Sequence, residues 1–341
     1  MLISASLFGK LNDGRPVKEF MITNDEGFSI SILEYGAVIR FVKYAGQTPD
    51  CNVVLGFDTL KEYENDSSYV GCIIGRVANR IENGEVKING KSYSLNKNFG
   101  NHTLHGGSIG WNKQLWVGNY YRTPDGAVVE LKYFSNDGEE GFPGNIQATV
   151  RYSLNNKNEV KISFEAQANT PTLINLTQHT YFNLSGKLHH QMNDQLIKVD
   201  AQKILQTNSE KISSGKLLNC HDCHLDLSEL KPLSSYLLKH KNGIDNFFVS
   251  NSQSMIKPVA KLIDPSSHRQ LEVFSDAEGM QIYTGEVLVE SQEKYEPSKF
   301  YGICLESHNF PYCSASENLS LMCIPGIGYR QNTVWRFSKV I

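Results

Sequence analysis

The sequence predicts an all-β fold, a large antiparallel β-sandwich of two sheets. Three observations predict it. Runs in which apolar and polar residues alternate recur along the chain, as in half-buried strands. Clusters of Asn, Asp, Gly and Pro punctuate those runs at close spacing. Only two stretches read as helix, and they are short or broken.

In chain order, FSISILEYGAVIRFVKYA (28–45) is the first strand-like run, after the turn Asn24-Asp25-Glu26-Gly27. DTLKEYEND (58–66) is a short helix. VKINGKSYSL reads as a β-hairpin. Val86, Ile88, Tyr93 and Leu95 alternate with polar residues around Asn89-Gly90, the strongest two-residue hairpin signal. AVVELKYFS (127–135), NIQATVRYSL (145–154) and EVKISFEAQA (159–168) are further strands. The turns Pro124-Asp125-Gly126, Asn136-Asp137-Gly138 and Asn155-Asn156-Lys157-Asn158 separate them. HLDLSELKPLSSYLLKH (224–240) is the second helical stretch, broken by Pro232. QLEVFSD (270–276) and GMQIYTGE (279–286) are the last of the series. No fixed repeat, low-complexity linker or composition shift divides the chain, so one domain, 1–341, is expected.

Composition excludes several classes of function. The net charge is −3, and Lys and Arg form no basic block, so no nucleic-acid partner is expected. No window approaches eighteen apolar residues, so no membrane span is expected. The N-terminus lacks the charged and apolar pattern of a signal peptide. Seven cysteines, an odd number without scaffold spacing, favour a reducing compartment. A cytoplasmic monomer or homodimer is the expectation. The 16 Tyr, 16 Phe and 3 Trp should mostly fill a β core.

The chemistry concentrates first in 70–107. Arg76, Asn79 and Arg80 precede the hairpin, and His102 and His105 follow it. A tight hairpin can bring its flanks together, placing Arg80 and His105 on one site. Such a mixture of donors and acceptors suits a neutral ligand with many hydroxyls. Gly106-Gly107 would let the backbone turn sharply or approach a ligand beside His105. Further on, His179 sits in INLTQHTYFNLSG (174–186), where a half-buried imidazole suits proton transfer near neutrality. Asp245 opens a strand in NGIDNFFVS (242–250). Gln281 faces away from Met280 and Ile282, and Glu306 away from Ile303 and Leu305. A carboxylate at the mouth of an apolar strand can have a raised pKa and act as a base. Taken singly, each has a plainer reading: a loop or core histidine, a turn aspartate, an ordinary strand residue, a surface glutamate. Cys220-His221-Asp222-Cys223-His224 suggests a metal site but lacks a second ligand pair, which favours a loop. No nucleotide, nucleophile-elbow or zinc-protease motif is present.

The motifs in order resemble the galactose mutarotase (aldose 1-epimerase) family. They are GRVANRI, LHGG, SNDGEEGFPG (135–144), TPTLINLTQHTYFNLSG (170–186), GIDNFF, GMQIYTGE, CLESHNFP and IPGIGY, ending in WRF. The resemblance implies a twisted, galactose mutarotase-like supersandwich with an open cleft. It implies that Asn79, Arg80, His105, Asp245 and Gln281 hold a monosaccharide, with Glu306 as general base and His179 as general acid. His102 matches no ligand position. Anomer interconversion removes a proton from O1 and delivers one to the ring O5. The ring opens, C1–C2 rotates and the ring recloses. An acid and a base suffice, so neither cofactor nor metal is expected.

The chain departs from the family pattern near this site. It has Glu306-Ser307-His308 for Glu-Thr-Gln, Tyr312-Cys313 after Pro311, Asp245-Asn246 for Asp-His, and Ile327 in place of an acid. These changes bear on sugar preference and rate more than on reaction type. Three other readings share the residues. One is a catalytically weak sugar sensor. Another is a glycoside hydrolase with Glu306 and Asp245 as its pair. The third is a phosphosugar epimerase, for which only Arg76 and Arg80 supply cations at the cleft mouth.

Overall fold

The computed structural model describes residues 1–46, 51–240, 242–251, 255–285, 300–316 and 318–340. Strands dominate it, and all the paired strands of the three larger sheets run antiparallel. Leu2–Lys10, Pro16–Thr23, Ser29–Leu33 and Ile39–Lys43 form a sheet in sequence order. The run predicted over 28–45 is therefore two strands.

The largest described sheet starts with Val117–Thr123, Gly126–Ser135, Ile146–Asn155 and Glu159–Ala168. It continues through Tyr329–Lys339, Arg269–Ser275, Lys257–Asp264, Leu196–Val199 and Lys231–Pro232. Burial alternates along Glu159–Ala168, the period-two signature that the sequence carried. A second sheet positions the chemistry. Its described order is Tyr181–Phe182, Ile303–His308, Gly279–Tyr283, Asp245–Val249, Lys203–Thr207 and Ser213–Asn219. One apolar core cluster draws on all three sheets, from Phe20 and Ile30 through Ile162 and Trp335 to Ile282 and Leu305.

Local sequence explains the short elements. The helix Leu60–Asn65 starts at a capping box, with Thr59 Oγ1 accepting from the Glu62 amide and Glu62 accepting from the Thr59 amide. Glu85–Ile88 pairs with Lys91–Ser94 through Asn89 and Gly90, both at positive φ, as a type I′ hairpin needs. The second predicted helix is mostly absent. Only Ser234–Leu237 is helical, while Lys231–Pro232 is a sheet-edge strand, where a proline without an N–H costs nothing. Of the run 279–286, Gly279–Tyr283 is strand and Glu286 lies outside the described residues. Among the described residues no helix is long and apolar enough to cross a membrane.

Candidate active site

The strand Ile303–His308 is buried along its whole length. Its alternation sends Ile303 and Leu305 into the main core and sets Cys304, Glu306 and His308 on the other face. Register then brings Gln281 beside Glu306, Tyr283 beside Cys304, and Phe247 beside Gln281. Asp245 begins the next strand, opposite Tyr283.

His179 lies where the chain passes from Thr177–Gln178, paired with Ile73–Ile74, to Tyr181–Phe182, paired with Ile303 and Cys304. Its amide donates to Cys72 O at 2.9 Å, and its carbonyl accepts from the Gly71 amide at 3.0 Å. The backbone is thus fixed on both sides of the ring. His179 is 3 % exposed, deeper than the half-burial expected of it. Nε2 lies 3.5 Å from Glu306 Oε1, and Nδ1 lies 3.5 Å from Cys304 Sγ. Rings of Tyr69, His105, Tyr181 and Tyr283 surround it, with centroids 5.1–6.3 Å away.

Asn79, Arg80 and His105 reach this site from the segment that the hairpin folds back. Arg80 pairs with Leu104 across two short strands, Arg80–Ile81 and Thr103–Leu104. The His105 amide donates to Asn79 O at 3.0 Å, and the Asn79 amide donates to His105 Nδ1 at 3.2 Å. That bond leaves the proton of a neutral His105 on Nε2. Asn79 Nδ2 donates to Gln281 Oε1 at 2.9 Å, and Gln281 Nε2 donates to Asp245 Oδ1 at 2.5 Å. Arg80 Nη2 donates to Asp245 Oδ2 at 3.3 Å, and its guanidinium lies over Phe99. One polar chain therefore links Asn79, Gln281, Asp245 and Arg80.

Burial sets the electrostatics. It pushes the Glu306 carboxyl well above the usual carboxylate range. The nearby Asp245 charge adds to this, and Arg80 partly offsets it. Burial also lowers His179 to about 4 and holds His105 well below the usual imidazole range. Glu306 Oε2 is buried and has no hydrogen-bond partner among the described residues. A group so placed awaits a donor such as a sugar hydroxyl.

All seven residues singled out from the sequence thus gather around one site. Other expectations are corrected. Arg76 is not at the cleft mouth. It is 1 % exposed, and it donates to Ser135 Oγ, Pro143 O and Asn136 O. At Gly106 and Gly107 the backbone turns at positive φ, 93° and 110°, as one of the two readings expected, and the close approach is to protein, not ligand. A Cβ on Gly106 would lie 2.0 Å from Gly75 O, and one on Gly107 would lie 2.2 Å from Glu140 Oε2. His102, expected outside the site, takes a hydrogen bond from the Asn83 amide on Nδ1 and faces Glu210. Sequence reasoning missed Tyr69, Tyr283 and Cys304. Cys304 was findable, since it stands two residues before Glu306 on one strand. Tyr69 carried no signal, being aimed by a positive φ of 58°.

Comparison with known proteins gives one consistent result. The family model described as Aldose 1-epimerase matches residues 18–335. Galactose mutarotases of Sus scrofa and Homo sapiens are each 32% identical over 343 residues, covering 98% of this chain and 98% of theirs. A maltose epimerase of Levilactobacillus brevis is 28% identical, covering 83% of this chain and 84% of its own. A solved galactose 1-epimerase from Lactobacillus acidophilus superposes with a TM-score of 0.89 at 23% identity, covering 100% of this chain and 99% of that one. This chain is a member of the aldose 1-epimerase family.

Proposed function

We propose that the protein is an isomerase that interconverts the α and β anomers of free aldohexoses such as galactose and glucose. Glu306 is the base at O1, and His179 is the acid at O5. Asn79, Arg80, His105, Asp245 and Gln281 hold the sugar, and the chain works as one domain. The observation that carries the reading is the Glu306–His179 pair. Two proton carriers 3.5 Å apart can serve two oxygens borne on one carbon, as O1 and O5 of a hemiacetal are. A glycoside hydrolase sets its two carboxyls about 5–10 Å apart across a bond. Here Asp245, the other carboxylate, has both oxygens engaged by Gln281 and Arg80. With Arg76 buried away from the cleft, the phosphosugar reading also loses a cation. The seven free cysteines fit a cytoplasmic setting.

Polarimetry on freshly dissolved α-D-galactose and α-D-glucose tests the reading. The protein should speed the approach to equilibrium rotation without any added cofactor. Tight sugar binding with no acceleration would leave the sensor reading instead. A cavity of about 370 Å³ adjoins the site through Leu205, Ser213 and Pro311, which line both. Those three residues join it to the hollow that Asn79, Arg80, Asp245 and Gln281 line.

The pH profile follows from the shifts. Between about pH 4 and the raised Glu306 pKa the empty site holds one proton between the pair, and burial keeps it on Glu306. The productive form has that proton on His179. Both forms carry the same number of protons, so their ratio does not change with pH. Activity should be flat over that range. It should fall below about 4, where His179 takes a second proton, and above the raised Glu306 pKa, where the last proton leaves. A single rise in kcat/KM centred at about pH 6.5, the ordinary imidazole value, would contradict this account.

Arg80 and Asp245 orient the sugar and transfer no proton. Arg80→Ala and Asp245→Asn should raise KM or lower kcat/KM while keeping both limbs of the pH profile, with the high-pH limb moving up in Arg80→Ala and down in Asp245→Asn as each charge's effect on Glu306 is removed. Loss of a whole limb in either variant would show a proton carrier misassigned.

A further inference from the structure

Cys304 is part of neither the proposed proton relay nor the sugar-holding chain, yet it sits inside the same pocket. It shares a strand face with Glu306, and its Sγ is 3.5 Å from His179 Nδ1. Among the described residues, His179, Cys304 and Glu306 are the one set of three metal-ligating side chains whose donor atoms converge, all within 4.8 Å of one another. All three are buried.

We propose that this triad is an inhibitory site for a thiophilic divalent cation, Zn²⁺ above all. The inference rests on the epimerase reading for its effect on activity, but not for the site itself. Three observations carry it. The first is the donor set, one imidazole, one thiol and one carboxyl, which is the mixture that borderline-soft cations select. The second is spacing. A tetrahedral Zn²⁺ with Zn–S of about 2.3 Å and Zn–N of about 2.0 Å separates its N and S donors by roughly 3.5 Å. The Cys304–His179 pair already has that separation, and a rotation of Glu306 would bring in the third donor. The third is the buried Glu306 Oε2, which has no hydrogen-bond partner among the described residues.

Charge also balances. Binding breaks the S–H bond of Cys304 and the O–H bond of Glu306, forms Zn–S and Zn–O bonds, and releases two protons to solvent. The bound cation then carries one thiolate, one carboxylate and a neutral imidazole, a site with no net charge. That matters in a pocket walled by Tyr69, Tyr181 and Tyr283, where an uncompensated ion is costly. A fourth position is left toward the cleft for water or a sugar hydroxyl. The cation takes up the lone pair of His179 and the carboxylate of Glu306, so neither can move a proton while it is bound. Metal and productive sugar binding exclude each other.

The experiment uses the full chain carrying Cys220→Ser and Cys223→Ser, which removes the one Cys-x-x-Cys, in the loop after Ser213–Asn219. Co²⁺ is titrated in and followed by its thiolate charge-transfer absorption, and Zn²⁺ is titrated by calorimetry. One equivalent should bind, with a thiolate band and with release of protons to buffer. Saturating galactose should weaken binding. Cys304→Ser should abolish the band and weaken Zn²⁺ by at least about tenfold. Anomerisation should be lost as Zn²⁺ is added and return with EDTA. Absence of a thiolate band in the parent, or binding unchanged in Cys304→Ser, overturns the site. The band is read on the parent, so a misfolded variant does not rescue the proposal. Metal binding through Cys304 in a protein that never accelerates anomerisation would keep the site and remove the epimerase reading.

Discussion

Glu306→Gln and His179→Asn should each lower kcat on the order of 10²–10⁴-fold, about 3–5 kcal/mol of transition-state stabilisation. Both changes keep shape and hydrogen bonding, so galactose affinity should change far less than turnover. The size of the loss follows from the site. Among the described residues, His179 is the ion-pair partner of Glu306, with Nε2 3.5 Å from Oε1. Asp245 is held by Gln281 and Arg80, and His105 accepts the Asn79 amide on Nδ1. Neither is free to replace a lost proton carrier without breaking its own support. Glu306 also gains strength as a base from burial, since a raised pKa makes its carboxylate a better proton acceptor once ionised. Stopped-flow polarimetry measures kcat, and equilibrium binding of galactose measures affinity. If both variants bind galactose like the parent and keep most of its turnover, the proton carriers lie elsewhere, and His105 is the next acid to test.

The two variants also differ in what they should do to the pH profile. Glu306→Gln removes the group whose deprotonation ends activity at high pH. His179→Asn removes the group whose protonation at about 4 ends it at low pH. Residual activity in Glu306→Gln needs His179 protonated and should fall as pH rises through about 4, whereas in His179→Asn it needs Glu306 ionised and should fall as pH drops through the raised Glu306 pKa.

Much of this site was legible because period-two alternation is a local property. Glu306 and Gln281 could be assigned a face from their apolar neighbours, and their strands pair in register. The hairpin was legible from Asn89-Gly90, and its flanks do bring Arg80 to Leu104. What was not legible depends on long-range packing. Arg76 stands four residues before Arg80 and looks equally available in the sequence. Only the position of the 135–143 turn decides that it is buried. His179 looked half-buried because its own segment is mixed; the rings that enclose it come from Tyr69, Tyr283 and His105, distant in the chain. The broken helix near Pro232 was misread over its first half. Residues 224–230 run through turns and bends, and Lys231 and Pro232 are extended because they pair with Ile197 and Leu196, which propensity does not see.

Arg76→Met should destabilise the fold by roughly 3–5 kcal/mol while leaving sugar affinity intact. The guanidinium is buried and donates to Ser135 Oγ at 2.8 Å, Pro143 O at 3.0 Å and Asn136 O at 2.6 Å. Burial lowers its pKa to about 10, which still leaves it charged at neutral pH. A thioether of similar length fills space but satisfies none of the three acceptors, and each buried acceptor left unmet costs about 1–3 kcal/mol. Its carbonyl accepts from the Asn175 amide, so the same residue ties the strand leading to Asn79 against the segment leading to His179. Arg76→Lys should recover only part of the loss, because one ammonium cannot match the planar fork that meets three acceptors in different directions. Thermal melts should show Tm falling by roughly 4–7 °C for Arg76→Met. Well below that Tm, KM for galactose should stay near the parent value. A variant that melts like the parent but binds galactose poorly would put Arg76 in the sugar site and restore the phosphosugar reading that its burial argues against.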